Sequence, residues 1–237
     1  MGKMNKEEFT SAVEKLKINL TEEMLQKLND YADFLLEYNT HTNLTAIKTK
    51  EEVYLKHFYD SLTLTKIANL QKGNLLDVGT GAGFPGLVLA IVFPNLEVTL
   101  LDSNNKKITF LNEVIQKLQI KNAHTVYSRA EDYTRMNRES FDFVTSRAVA
   151  SLRILLELNI PALKVNGHFL VMKGNLEEEL ENSKNTMRVL SCKIIQQEEF
   201  NLPKNGGTRT LLDIQKIKET EKKYPRTYDK IKKKELK

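Results

Sequence analysis

The stretch Leu75-Leu-Asp-Val-Gly-Thr-Gly-Ala-Gly-Phe-Pro-Gly86 determines the fold that we expect for this chain. Residues 74–78 form an apolar run typical of a buried strand, and residues 85–92 form one typical of a helix. The glycines between the two runs allow a tight turn and let a ligand approach the backbone closely. These glycines are Gly79, Gly81 and Gly83. The pattern therefore predicts the first strand-turn-helix unit of a doubly wound α/β sheet, with a ligand site at the turn.

Two carboxylates beside this turn narrow the choice of ligand. Asp102 ends the next predicted strand, about twenty residues later, where it can accept hydrogen bonds from both ribose hydroxyls of an adenosine. That much fits either a dinucleotide or S-adenosylmethionine. Asp77 favours S-adenosylmethionine, because an anion two residues before Gly79 would repel a pyrophosphate but would attract an amino group and a sulfonium. The spacing G-x-G-x-G, rather than G-x-G-x-x-G, supports the same choice.

A third contact with the ligand is expected where the third predicted strand ends. The segment Ser128-Arg-Ala-Glu-Asp132 follows that strand directly. The backbone N–H of Ala130 and the carboxylate of Glu131 would face the edge of an adenine. The sequence leaves open the alternative that this segment is only a solvated helix cap.

Strands and helices alternate through the rest of the central region. This alternation implies right-handed βαβ units and a mostly parallel sheet. Two closing strands with no helix between them predict an antiparallel hairpin at the sheet edge. The predicted strands are 74–78, 97–101, 123–127, 141–145, 167–172, 192–200 and 208–217. We therefore expect a Rossmann-like class I S-adenosylmethionine-dependent methyltransferase fold with a seven-stranded sheet.

The first part of the chain is predicted to be a helical extension. Apolar residues recur at helical spacing over 5–18, 21–38 and 51–68, and none of these runs alternates as a strand would. The predicted organisation is a helical extension 1–68, a cofactor-binding domain 69–218 and a basic tail 219–237.

The net charge of +5 comes from the C-terminal end of the chain, residues 216–237, which includes this tail. From Lys216 to Lys237 there are ten Lys or Arg and four Asp or Glu, whereas the remaining chain has 26 and 27. A nucleic-acid argument from overall charge is therefore weak, but one from the tail is stronger. Tyr224 and Tyr228 among the lysines suit base stacking beside phosphate binding. The alternative is a solvated charged face.

Cysteine usage and hydropathy indicate a cytoplasmic protein. The single cysteine, Cys192, excludes an internal disulfide and suits a reduced compartment. We see no signal peptide and no apolar run near the ~18 residues that span a bilayer, so no membrane partner is expected. No Cys/His cluster has metal-ligand spacing, and no metal site is expected.

Several motifs outside the glycine turn carry more specific information. The extension Gly83-Phe-Pro-Gly86 and the segment Val144-Thr-Ser-Arg-Ala-Val149 are the most specific. The others are Leu101-Asp-Ser103, Arg129-Ala-Glu131, Tyr38-Asn-Thr-His-Thr-Asn-Leu-Thr45, His57-Phe-Tyr-Asp-Ser-Leu62, Met172-Lys-Gly174 and Lys222-Lys-Tyr-Pro-Arg226. Together they resemble the glucose-inhibited division protein B family, whose members are bacterial small-subunit rRNA methyltransferases G. The tail beyond Arg226 departs from the family, where Pro/Gly-rich sequence is usual.

This resemblance implies a reaction and its partners. The family methylates N7 of one guanine, position 527 in the 530 loop of 16S rRNA, with S-adenosylmethionine as the methyl donor. Guanine N7 carries a lone pair and no proton, so alignment and desolvation can supply much of the rate. We expect a monomer whose partner is 16S rRNA, within the small ribosomal subunit or free. Two alternatives stay open: a methyltransferase for a small molecule or protein, and a non-catalytic RNA-binding module.

Further candidate residues follow from position and resemblance. Arg147 ends the fourth predicted strand and is expected to orient the cofactor carboxylate or a target phosphate, with a surface ion pair as the alternative. Phe84 and Ser103 join the cofactor-binding residues. The RNA or substrate candidates are Asn43, His57, Lys173 and Arg226. For His57 a packed structural role is the alternative, and for Lys173 a solvated one.

Overall fold

The computed structural model describes residues 2–147, 150–174, 176–234 and 236, and a seven-stranded sheet lies at its centre. The strands are β1 (Gly73–Val78), β2 (Leu96–Asp102), β3 (Ala123–Tyr127), β4 (Phe141–Arg147), β5 (Leu163–Lys173), β6 (Cys192–Leu202) and β7 (Gly207–Lys216). Their order is β3-β2-β1-β4-β5-β7-β6. The first five pair in parallel, and β7 pairs antiparallel with both β5 and β6. This arrangement confirms the predicted fold, including the edge hairpin.

The N-terminal region is helical, as predicted, but its second helix is longer than expected. It contains α1 (Lys6–Lys15) and α2 (Glu22–Thr42), and α2 continues past the predicted end at residue 38. Asn43 ends α2 in the left-handed region, with φ of 52°. Asn tolerates this conformation better than most residues, which makes Asn43 a helix terminator.

The third predicted helix, 51–68, is interrupted. α3 (Lys50–Val53) leads into a π-helical turn, Tyr54–Tyr59, and then into α4 (Asp60–Leu62) and a 3₁₀ turn, Thr63–Lys66. The spacing of apolar residues does not reveal the interruption. A π turn changes the carbonyl that each N–H bonds to, but it changes the set of buried side chains much less. Such turns occur frequently at functional sites.

Five helices cover the sheet. They are α5 (Gly86–Val92), α6 (Asn105–Lys117), α7 (Ala130–Met136), α8 (Leu152–Asn159) and α9 (Glu177–Leu190). α7 begins within the segment 128–132, for which a helix cap was the alternative to a ligand contact. α8 ends at Asn159, because a 3₁₀ turn containing Pro161 follows it and Leu163 already belongs to β5.

One hydrophobic core joins the N-terminal helices to the sheet. Tyr31 of α2 is fully buried and stacks on Phe58 and on Phe84, with ring centroids 5.5 Å apart in both pairs. Its hydroxyl donates a hydrogen bond to the carbonyl of Ala82 in the glycine turn. The helical extension therefore packs directly against the predicted cofactor site.

The tail is folded against the domain. It forms α10 (Tyr228–Lys233), whose buried Ile231 packs on Ile154 and Leu158 of α8. Arg226 pairs with Glu157 of α8, with Nε–Oε1 and Nη2–Oε2 distances both of 2.7 Å. Among the described residues, no helix is both long enough and apolar enough to cross a membrane.

Candidate active site

A cleft of about 500 Å³ lies at the carboxyl ends of the first four strands. Ligands bind at this edge of doubly wound sheets. Its lining consists of Leu44, Thr45, His57, Val78, Gly79, Thr80, Gly81, Ala82, Phe84, Leu101, Asp102, Ser103, Lys107, Ser128, Arg129, Ala130, Glu131, Arg147, Leu158 and Tyr228. All the predicted cofactor-binding residues except Asp77 and Gly83 are in this lining. Asp77 lies buried beneath the glycine turn, and Gly83 is part of the turn.

The glycine turn forms the floor of the cleft. The N–H groups of Gly79 and Thr80 both donate to the carbonyl of Leu101 on β2, at 2.8 and 3.1 Å, and so fasten the turn to the neighbouring strand. Gly83 has a φ of 98°, and a Cβ there would lie 2.4 Å from the Tyr31 hydroxyl. A larger residue at Gly83 would therefore displace either the turn or α2.

Asp77 lies fully buried beneath the turn. Its Oδ2 accepts hydrogen bonds from the Thr80 hydroxyl at 2.7 Å and from the Gly86 N–H at 2.8 Å. Its Oδ1 has no hydrogen-bond partner among the described residues. Burial raises the pKa of the Asp77 carboxyl to about 6, although these two donors and Arg147 act in the opposite direction. An unpartnered buried carboxylate oxygen is costly unless a donor or cation reaches it.

Asp102 connects β2 to the glycine turn. Its Oδ2 accepts from the Gly81 N–H at 3.0 Å, and its Oδ1 accepts from the Asn104 N–H at 2.9 Å. Lys107 lies 3.5 Å from Oδ2. The predicted ribose-binding carboxylate is thus held in place by backbone donors at the cleft surface.

Beside Asp102, the wall of the cleft is formed by α7 and the tail. Ala130 and Glu131, the predicted adenine contacts, form the first turn of α7 and line the cleft. The alternative that we left open, a helix cap, is present in the structure, since Arg129 is the N-cap residue of α7; the adenine contact stays a prediction. Tyr228 of α10 lies across the same end, which the sequence did not predict.

Arg147 stands at the opposite end of the cleft. Its Nη1 lies 3.2 Å from the carbonyl oxygen of Lys56 and 3.5 Å from Asp60 Oδ2, and its Nη2 lies 3.1 Å from His57 Nδ1. The guanidinium also lies over the ring of Phe84, 5.4 Å from its centroid. The ion pair that we weighed for Arg147 exists, but Asp60 is buried and the pair lies within the cleft wall.

His57 lies between Arg147 and the glycine turn. Its ring stacks on Phe84 with centroids 4.1 Å apart, and its Nε2 lies 3.0 Å from the Thr45 hydroxyl. Burial, followed by the charge of Arg147, holds the pKa of His57 well below its ordinary value, while the Lys56 backbone acts in the opposite direction. The imidazole is therefore neutral at pH 7.

The remaining substrate candidates lie outside the cleft lining. Asn43 is exposed at the end of α2, next to Leu44. Lys173 pairs with Glu179 of α9, at 2.7 and 2.5 Å from its two carboxylate oxygens. Arg226 is occupied by Glu157. Of the four candidates, only His57 lines the cleft.

Several site residues were not singled out from the sequence. Thr45 and Asp60 lie inside motifs that we quoted, but neither position could be assigned a contact without the fold. Arg209 of β7 donates to Asp60 Oδ1 at 2.9 Å and so joins β7 to the same network. Ala148 and Val149, the last residues of the motif beginning at Val144, lie outside the described residues.

The chain matches the family model described as rRNA small subunit methyltransferase G over residues 24–210. It is 46% identical over 217 residues to the ribosomal RNA small subunit methyltransferase G of Alkaliphilus metalliredigens, covering 90% of this chain and 91% of that protein. It is 48% identical over 215 residues to the same enzyme of Acetivibrio thermocellus, with coverage of 88% and 87%. The Lactococcus lactis subsp. cremoris enzyme is 45% identical over 228 residues, with coverage of 94% and 95%.

Solved structures agree on the fold. The TYW2 protein of M. jannaschii, in complex with AdoMet, superposes with a TM-score of 0.55 at 17% identity, covering 67% of this chain and 75% of that one. A putative methyltransferase of Bacillus halodurans superposes with a TM-score of 0.53 at 14% identity, covering 67% and 99%. The chain therefore has the fold of S-adenosylmethionine-dependent methyltransferases, and it belongs to the rRNA small subunit methyltransferase G family.

Proposed function

We propose that this protein methylates N7 of guanine 527, in the 530 loop of 16S rRNA, with S-adenosylmethionine as the methyl donor. The observation that carries the proposal is the family match over residues 24–210, which includes both the glycine turn and the His57 side of the cleft. We further propose that it acts as a monomer in the cytoplasm.

The cleft lining suits this cofactor. S-adenosylmethionine supplies a methyl group on a positively charged sulfur and also carries an ammonium group. The carboxylates of Asp102 and Glu131 line the cleft, and the unpartnered Oδ1 of Asp77 lies buried beneath the glycine turn, so the cleft carries negative charge that favours a cationic ligand. A Cβ at Gly81 would meet nothing closer than 3.9 Å, so the turn leaves open space at that point. Asp102 and Glu131 would hold the adenosine, and Asp77 the cationic end.

The protein's own groups suit a reaction that needs no base. Guanine N7 has no proton to lose, so its methylation requires orientation and exclusion of water more than proton transfer. His57, the histidine found among the described lining residues, is neutral and has both ring nitrogens engaged, by Arg147 and Thr45. It is therefore unsuited to act as a general base, and we assign it to positioning instead.

The experiment that tests this function is methyl transfer to a defined acceptor. Labelled S-adenosylmethionine is incubated with small ribosomal subunits that lack the modification, with protein-free rRNA and total tRNA run in parallel. The labelled nucleoside is then identified by mass, and the labelled position by fragment mapping. We expect 7-methylguanosine at position 527, formed from the subunit or from the free rRNA.

A cofactor-binding variant serves as the matched control. Gly79→Asp places a side chain in the turn that faces the cofactor, and it should abolish both binding and transfer. Cofactor binding by the wild type without label in any RNA would contradict the proposed acceptor. Label in a protein or a small molecule would instead support the alternative acceptors.

A further inference from the structure

The hydroxyl of Thr45 has an unusual set of neighbours. It lines the cleft beside His57, and its Oγ1 lies 3.0 Å from His57 Nε2. The same oxygen accepts a hydrogen bond from the N–H of Ile47 at 3.2 Å. A hydroxyl has one donor hydrogen and two acceptor lone pairs, so the direction of each bond decides what remains for a ligand.

The direction follows from Arg147. A guanidinium only donates hydrogen bonds, so the contact between its Nη2 and His57 Nδ1 requires that Nδ1 accepts. Neutral His57 then carries its hydrogen on Nε2 and donates it to Thr45. Both acceptor positions of Thr45 are thereby used, one by His57 and one by Ile47. The hydroxyl hydrogen finds no protein acceptor among the described residues and is left to donate into the cleft.

The position of Thr45 is fixed, as is the donor role of its hydroxyl. The buried Asn39 accepts from the Thr45 N–H at 3.0 Å through Oδ1, and donates to the Thr45 carbonyl at 2.9 Å through Nδ2. The backbone of Thr45 is thus clamped on both sides, and its side chain is held by His57. A donor that is held in this way loses little entropy when it binds a ligand.

We propose that Thr45 donates this hydrogen bond to O6 of the target purine, and that the relay from Arg147 through His57 to Thr45 makes the site selective for guanine. The inference rests on the proposed function. It adds the group that recognises the base.

Base chemistry explains the selectivity. Next to N7, guanine presents the acceptor O6, whereas adenine presents the donor N6–H₂. A hydroxyl that can only donate forms a hydrogen bond with guanine O6. With adenine it faces another donor, N6–H₂, and no hydrogen bond forms. A single donor on O6 also leaves the N7 lone pair free, which a bidentate arginine on O6 and N7 would not. Arg147 is itself held by Lys56, His57 and Asp60.

The test combines substitutions of Thr45 with substitutions of the target base. Thr45→Val removes the hydroxyl while keeping the side-chain shape, and Thr45→Ser restores it. Small subunits are reconstituted with rRNA that carries guanine, hypoxanthine or 2-aminopurine at the target position. Hypoxanthine keeps O6 without the 2-amino group, and 2-aminopurine keeps the amino group without O6. The rate constant kcat/KM for methyl transfer is measured for each pair.

Thr45→Val should lower kcat/KM by about tenfold on guanine and on hypoxanthine, the loss expected for one hydrogen bond. On 2-aminopurine it should change kcat/KM by less than about twofold, because the bond is absent there in both proteins. Thr45→Ser should recover the wild-type pattern. Thr40→Val, an equivalent change at an exposed threonine outside the cleft lining, is the matched control and should affect no base.

The possible failures can be told apart. If the wild type places no label on N7 of guanine, the proposed function fails. If it does so, but Thr45→Val lowers transfer equally on all three bases, Thr45 has only a structural role and this inference is overturned. An unchanged rate on guanine would overturn it as well. Thermal unfolding and S-adenosylmethionine binding of each variant identify any variant that fails to fold.

Discussion

Asp77 combines complete burial with an oxygen that lacks a partner, and its charge therefore depends on the ligand. Its pKa is raised to about 6 by burial, so in the cofactor-free protein its contribution to stability is lost as pH rises through about 6. A cationic ligand has the opposite preference, because it binds the ionised carboxylate better. The ionised form of Asp77 is therefore unfavourable in the cofactor-free protein and becomes favourable when a cationic ligand binds.

We predict that affinity for S-adenosylmethionine increases as pH rises from about 5 to about 7.5, as Asp77 ionises. Asp77→Asn should lower the affinity by about ten- to a hundredfold, the range for a hydrogen bond to a charged group, and should flatten this pH dependence. The Asn side chain can still accept from Thr80, so the unfolding temperature should not fall. Titration calorimetry across pH measures this, with the exposed Asp33→Asn as control. A pH dependence that persists in Asp77→Asn would contradict the assignment.

Substitution of Arg147 should lower methyl transfer much more than it lowers the stability of the fold. Lysine cannot reproduce its bonds to Asp60, His57 and the Lys56 carbonyl together, because an ammonium lacks the planar fork. We predict that Arg147→Lys and Arg147→Ala both lower methyl transfer by about tenfold or more through loss of alignment. Asp60 keeps Arg209, so the unfolding temperature should fall by only about 2–4 °C per kcal/mol lost. Single-turnover rates and thermal melts together check this, and unchanged transfer would remove Arg147 from the site.

At the scale of elements, the π-helical turn and the tail determine which side chains reach the cleft. The π turn supplies His57, and Asp60 follows it directly in α4. Lys56, within the same turn, offers its carbonyl to Arg147. The tail brings Tyr228 over the adenine end. The sequence predicted a tail but neither the π turn nor the helix α10 within the tail.

The attachment of the tail should depend on Arg226. Arg226→Ala would remove the guanidinium from Glu157, which is 1% exposed, and leave this buried carboxylate with the backbone N–H of residue 226 as a donor. We predict a loss of about 3 kcal/mol in the free energy of unfolding, together with weaker S-adenosylmethionine binding through displacement of Tyr228. The double variant Arg226→Ala/Glu157→Gln should recover much of the stability. Denaturant unfolding tests this, and a single variant as stable as the wild type would show that the pair does not hold the tail.

Charge on the tail supports a separate prediction about RNA. Lys232, Lys233 and Lys234 are exposed on or directly after α10. Replacing all three with Gln should reduce the slope of log affinity against log salt by up to about 2 to 3, because each phosphate contact contributes about 0.7 to 0.9. The unfolding temperature should stay the same, since Ile231 still packs on α8. An unchanged slope in filter binding would show that the tail is only solvated. Truncation is a poorer test, because it would expose the apolar surface of α8.

At the scale of the whole molecule, the helical extension and the sheet form one packing unit. Tyr31, Phe58 and Phe84 stack across the boundary at residue 68. We predict that the full chain unfolds in one cooperative transition and that a chain beginning at residue 69 does not fold. Calorimetry of the two chains measures this. A native-like melt of the shorter chain would show that the extension is an independent appendage.

The sequence by itself determined the seven strands and their succession along the chain, the glycine turn, and the positions of the carboxylates Asp77 and Asp102. These depend on local spacing, which repeats with the period of the element that contains it. The fold of the turn is local too, since Gly79 to Gly83 span only five consecutive residues. The identity of the ligand followed from charge at these fixed positions.

Only the tertiary structure decided which residues form the end of the cleft around Arg147. Arg147, His57, Asp60 and Arg209 come from separate parts of the chain, and their contacts exist only because the extension packs on the sheet. The same applies to Thr45, whose hydrogen-bond direction depends on Arg147 about a hundred residues away through His57. Arg226, named from the sequence as an RNA candidate, pairs with Glu157 of α8, a contact that its position in the sequence did not predict. Sequence spacing carries no information about such pairs, because their distances depend on packing rather than on any local period.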